Sequence, residues 1–73
     1  MEFHYSNFRA KIKTRMFDQM AAEERKIGIR EFASMIGISA PTLSRVTTGS
    51  KMDIDTILKI CEWLKKPIQD FIS

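Results

Sequence analysis

A chain of 73 residues has the length of one domain, with a core too small for much margin of stability. Hydrophobic residues at 44% and charged residues at 29% exclude a disordered chain, and no apolar run approaches the ~18 residues of a membrane span. A net charge of +3 permits a polyanionic partner without requiring one, and the single cysteine, Cys61, excludes an internal disulfide and a CxxC zinc site.

Residues 1–5 carry Phe3, His4 and Tyr5 and read as a flexible arm, whose aromatics have the alternative of packing back on the domain. Ser6 or Asn7 is suited to cap a first helix running to about Glu24. Its apolar positions Phe8, Ile12, Met16 and Met20 recur every four residues, with Phe17 and Ala21 beside them. The same helix carries Arg9, Lys11, Lys13 and Arg15, either as a solvated face or as contacts to phosphate or a partner. Gly28 is an acceptable cap for a second helix over residues 29–36, with Glu31 in its first turn.

Gly37-Ile38-Ser39 interrupts the pattern. Gly37 stops one helix by taking positive φ without a Cβ clash, and Ser39 caps the next, over residues 40–47, with Pro41 in its first turn. Phe32, Ile36, Leu43 and Val46 are apolar at one-turn spacing on the faces that meet, and Ala33 is small where the helices come closest. Residues 29–48 thus predict two helices crossing steeply around a glycine-bearing turn. Gly49 closes the third helix. A fourth runs from Ile54 to about Lys65, with Ile54, Ile57, Leu58, Cys61 and Leu64 toward the core and Ile60 and Trp63 on a flank. Pro67 opens a short fifth helix over residues 67–72. Caps at Gly28, Ser39 and Asp53 set Ile27 against Phe32, Ile38 against Leu43 and Met52 against Ile57, three hydrophobic staples in succession.

The pattern Phe32, Ala33, Ile36, Gly37, Ile38, Ser39, Leu43, Val46 and Gly49 resembles the helix-turn-helix of Cro/phage-repressor-type (XRE family) proteins. The resemblance implies an all-α fold, a compact five-helix bundle of the lambda-repressor-like DNA-binding type, here with a lengthened first helix. It implies a single domain over residues 1–73 that binds double-stranded DNA as a sequence-specific transcriptional regulator, a repressor by preference. In this motif the second helix of the pair enters the major groove and the first crosses the backbone. By resemblance, Ala40, Pro41, Ser44 and Arg45 fall where the family reads bases. Arg45 leads, because its planar fork matches both acceptors of guanine. Arg30, Ser39, Thr42, Thr48, Ser50 and Lys51 fall where phosphates are touched. Relatives often carry glutamine at two positions occupied here by Ile29 and Ala40, so fewer polar base contacts and a weaker phosphate clamp are expected.

Catalysis has little to stand on: the chain has no convergent Ser/His/Asp set, no glycine-rich phosphate loop and no metal cluster, so neither an enzyme nor a cofactor is expected. A short recognition helix gains from pairing, and a homodimer is expected with Ile60, Trp63, Ile68, Phe71 and Ile72 as its surface, unless these complete the core. The N-terminal sequence has no apolar stretch of the signal-peptide kind, so a cytoplasmic, bacterial or phage-encoded protein without membrane contact is expected. The alternative is a protein-interaction module of antitoxin or anti-repressor type that keeps the fold and binds a regulatory protein partner.

Overall fold

Ser39, in extended geometry (φ −77°, ψ 153°), starts the helix that follows the central turn, and its hydroxyl accepts the Thr42 N–H at 3.2 Å. This computed structural model describes residues 2–50 and 52–73. Four α-helices follow one another: α1 (Tyr5–Glu23), α2 (Ile29–Ile36), α3 (Ala40–Thr48) and α4 (Ile54–Leu64), then a 3₁₀ turn (Ile68–Phe71). At the end of α2, Gly37 takes φ 92° and its N–H donates to the Ala33 carbonyl at 2.8 Å, joined there by the Ile38 N–H at 3.0 Å. Gly49 repeats the device after α3 with φ 105°, and the Ser50 N–H reaches back to the Arg45 carbonyl at 3.0 Å. These are the left-handed C-terminal stops that glycine takes at least cost.

The caps fall at Gly28, Ser39 and Asp53 as the sequence predicts, and the six staple residues all lie in or against the core. That core is one cluster drawn from every helix, with Phe8, Ile12, Leu43 and Ile60 fully buried. Within the α2–α3 pair, α2 packs on α4 and α3 on α1, while α1 and α4 touch each other and the 3₁₀ turn.

Four expectations are corrected. α1 begins at Tyr5 with His4 as its cap residue and no side-chain cap bond, because the backbone just before it is tied elsewhere. The Glu2 N–H donates to the Ser73 carbonyl at 2.8 Å and the His4 N–H to the Phe71 carbonyl at 2.7 Å, around an isolated Phe3–Ile72 bridge. Residues 2–4 are therefore paired, not a loose arm, and of the two alternatives it is the packing of the aromatics back on the domain that is found. Phe3 meets Phe8 edge-to-face at 5.1 Å, and Phe8 meets Phe71 likewise at 4.9 Å. Such pairs add roughly 0.5–1.5 kcal/mol beyond area burial.

In α4 the buried arc is turned. Thr56, Ile57, Ile60 and Cys61 are buried, while Ile54 and Leu58 are 57% and 47% exposed. At about 100° per residue this is a rotation of roughly 60° from the stripe expected. The cause is that α4 packs on α1, α2 and the 3₁₀ turn together, which draws Ile60 inward and leaves Ile54 and Leu58 outside.

The expected fifth helix over residues 67–72 is only the 3₁₀ turn. Its Phe71 is 1% exposed, and Ile60 is at 0%, so these two of the five residues expected on a dimer surface belong to the core. Trp63, Ile68 and Ile72 are half-buried. Burial raises the Cys61 thiol above its usual range, with the Asp70 charge adding to it, which suits a small apolar core residue.

Candidate nucleic-acid interface

α3 has two faces. Leu43 and Val46 are buried, Thr42 and Thr47 are half-buried, and Pro41, Ser44, Arg45 and Thr48 are exposed. Three of the four residues assigned to bases, Pro41, Ser44 and Arg45, thus share one open face. Ala40 is half-buried and packs against the core, leaving it less surface to offer. The Arg45 side chain lines a cleft of about 180 Å³ with Thr42, Met52 and Asp53. Asp53 caps α4, its carboxylate accepting the Thr56 N–H at 2.9 Å, and bonds from Thr56 hold its pKa below the usual carboxylate range. Among the described residues no ion pair joins Arg45 to it, so the guanidinium is unclaimed.

The hydroxyls divide by what their protons do. Ser39 Oγ and Thr42 Oγ1 lie 2.7 Å apart, so one donates to the other and one hydroxyl proton of the pair remains to point outward. Thr48 Oγ1 is occupied: it donates to the Ser44 and Arg45 carbonyls at 3.0 and 3.1 Å. Thr47 does the same toward Ser44 at 2.9 Å. A phosphate oxygen needs a donor, so Thr48 as found is the weaker member of the set. Ser50 is exposed just beyond the end of α3. Lys51, assigned to the same group, lies outside the described residues.

The start of α2 differs from the starts of α3 and α4. Gly28 provides no side-chain cap, so the first-turn N–H groups of α2 stay open where Ser39 and Asp53 occupy one each on the next two helices. Open N–H groups at a helix start favour an anion. Arg30 stands exposed in that turn. Glu31, the acid there, is taken up by Arg25, whose guanidinium also bonds Glu23. Arg25 holds the Glu31 carboxyl below its usual range; for Glu23 the Gln19 amide does most of this, with Arg25 second.

Of the four cations that α1 carries, three fall on two opposite flanks. Lys13 lines an apolar groove of about 360 Å³ together with Phe17, Ile29 and Thr47, beside the start of α2 and the end of α3. Lys11 and Arg15 lie on the opposite flank, toward the end of α4. The helical angle between positions 11 and 13, about 200°, is the signal that could have separated them. Lys13 therefore joins Arg30 as a cation on the α2–α3 side.

Among the described residues no group of His, Cys, Asp and Glu is placed to hold a metal ion, and no helix is long and apolar enough to cross a membrane. Comparison with curated proteins finds no match, and comparison with solved structures finds none either. The sequence model of one family does match, over residues 19–73, which takes in the end of α1, the α2–α3 pair, α4 and the 3₁₀ turn. With three quarters of its length matched, the chain belongs to the family of Cro/C1-type helix-turn-helix DNA-binding domains.

Proposed function

We propose that this protein is a sequence-specific transcriptional regulator, a repressor, that lays α3 in the major groove of double-stranded DNA. One observation carries the reading: Pro41, Ser44 and Arg45 share an exposed face of α3, whose other face is locked by Leu43 and Val46. Arg45 reads guanine through its fork, Ser44 adds an adaptable contact, and Ala40 and Pro41 read shape or a thymine methyl. Phosphates are held by the open start of α2 with Arg30, by the Ser39–Thr42 pair, by Ser50 and Lys51, and by Lys13 from α1. Thr48 joins only if its hydroxyl leaves the helix carbonyls.

Two copies bind together, on half-sites roughly 34 Å apart or a multiple of that. Ile54 and Leu58, one turn apart and exposed on α4, have more apolar area to offer a partner copy than the half-buried Trp63, Ile68 and Ile72. The setting is the cytoplasm of a bacterium, with the gene in the host or in a phage.

Site selection from random duplexes with the full chain tests this reading. A palindromic consensus is expected, and selection that enriches no site overturns it. A second reading, a protein-interaction module of antitoxin or anti-repressor type, draws on the groove beside the interface, where Phe17 is 68% and Ile29 40% exposed. In that case the chain captures a protein through this groove and discriminates no DNA sequence.

A further inference from the structure

We infer that the cleft between the middle of α1 and the end of α4 is a site for a small phosphate-class oxyanion. Lys11, Thr14, Arg15, Asp18, Leu64 and Lys66 line a cavity of about 170 Å³ there. Three cations against one carboxylate leave a formal charge of +2, which matches a dianion. The ion pairs among the described residues are those of Arg25 with Glu23 and Glu31, so none of the three cations is neutralised at contact distance. The Arg15 Nε–H is shut off from solvent and has no acceptor, so no carboxylate of the protein claims the guanidinium from that side. Its guanidinium carbon sits 5.7 Å from the centre of the Trp63 ring, within cation–π range, which holds the charged end of the side chain in place. A buried donor without a partner is uncommon in folded proteins. The two terminal Nη groups of a guanidinium can take two phosphate oxygens in parallel without the enclosed Nε–H, and Lys11 and Lys66 add point charges at the rim.

Size and place narrow the ligand. The cavity is smaller than the roughly 300–1,000 Å³ of a pocket that encloses a drug-sized molecule. It seats a phosphoryl group and leaves any larger body outside. It is also remote from the helix-turn-helix. The start of α4, at Asp53, shares a cleft with Thr42 and Arg45 of α3, whereas Leu64 lies ten residues on from Ile54, roughly 15 Å along the helix. No residue of α2 or α3 lines the cavity. Its ligand is therefore an anion bound independently of the DNA backbone.

The test is a titration of the full chain, without DNA, by inorganic phosphate at constant ionic strength, followed through amide NMR shifts. Saturable shifts at Lys11, Thr14, Arg15, Asp18 and residues 64–66 are expected. Lys66→Gln and Arg15→Gln should each weaken binding about fivefold or more, and Asp18→Asn should tighten it. Lys66 is exposed, so Lys66→Gln decides the matter alone if Arg15→Gln fails to fold. Methyl phosphate in a parallel arm separates the sources: equal binding points to a phosphate monoester, preference for inorganic phosphate to the free ion. The inference is overturned by shifts that never saturate, by shifts confined to residues 28–31 and 39–50, by an unaltered Lys66→Gln, or by tighter binding of succinate than of phosphate.

Discussion

The hydroxyls of Ser39 and Thr42 sit 2.7 Å apart at the start of α3, and the Ser39 oxygen also accepts the Thr42 N–H. In the proposed reading, cap and phosphate donor are thus the same two side chains. Ser39→Ala is expected to cost about 1 kcal/mol of stability, read from a urea midpoint, and to weaken DNA binding at every sequence. Thr42→Val keeps the N–H bond to Ser39 and should be gentler on stability. Thr48→Val is expected to leave DNA affinity nearly unchanged, since its proton already serves α3 carbonyls. A loss for Thr48→Val as large as that for Ser39→Ala would show that the hydroxyl turns outward on DNA.

Arg45 and the cations beside it should separate cleanly in a binding experiment. Arg45→Ala is expected to relax preference at one base position, a loss of about 1–3 kcal/mol against the preferred base. Arg30→Gln and Lys13→Gln should weaken all sequences alike and reduce the salt slope by roughly 0.9 for each phosphate no longer neutralised. Lys11→Gln, on the other flank of α1, serves as the control and should leave the slope unchanged.

Two helices end in left-handed geometry without glycine: Glu24 at φ 53° and Lys65 at φ 58°. Lys65→Gly and Glu24→Gly should each raise stability, by about 0.5–1 kcal/mol after the greater freedom of glycine in the unfolded chain is set against the relieved strain. Gly37→Ala and Gly49→Ala should do the opposite by about 1–2 kcal/mol. At both glycines a Cβ would meet nothing within 4 Å, so that cost is one of backbone conformation alone. Urea unfolding of the four variants measures all of it.

Core and surface on α4 can be told apart by truncation. Ile60→Ala and Phe71→Ala each empty a fully enclosed position and should cost roughly 2–5 kcal/mol, enough to unfold a domain of this size. Leu58→Ser should stay within about 0.5 kcal/mol of the parent. If Leu58 and Ile54 hold two copies together, Leu58→Ser lowers the mass seen by light scattering on the DNA site while the fold is unchanged.

Acid should loosen the region before α2 and the start of α4. The folded-state pKa values of Glu31, Glu23 and Asp53 are depressed, so their contribution to stability is complete above the usual carboxylate range. It is lost as pH falls through about 4 and below. Thermal melts between pH 7 and pH 3 should show that decline. Arg25→Ala should remove the Glu31 part of it, because that carboxyl then titrates nearly as in the unfolded chain, while the bonds from Gln19 to Glu23 and from Thr56 to Asp53 remain.

The sequence made the helix-turn-helix readable because its limits are local. Gly37, Ser39 and Gly49 need only their neighbours to act as stop, cap and stop. The phase of α4 was not readable in the same way. Ile54 and Leu58 form one apolar arc and Ile60 and Trp63 another, and the choice depends on which elements flank the helix. The pairing of residues 2–4 with the last residues of the chain is equally non-local and leaves no periodic mark. On α3 the open face followed from helical spacing, so Pro41, Ser44 and Arg45 could be placed from sequence. That the Thr48 proton is occupied, and that Lys13 parts company with Lys11, needed the three-dimensional structure.

The Glu2 and Ser73 backbones exchange two hydrogen bonds, N–H to carbonyl at 2.8 Å and the reverse at 3.0 Å. Residue 2 and residue 73 are therefore neighbours, and the described chain is close to a topological ring. A circular permutant that bridges them with a short glycine-serine joint and opens the exposed bend at residues 24–26 should keep the same core. In that permutant α2 and α3 come before the helix that precedes them here, so the order of synthesis can be changed while the DNA-facing surface is kept.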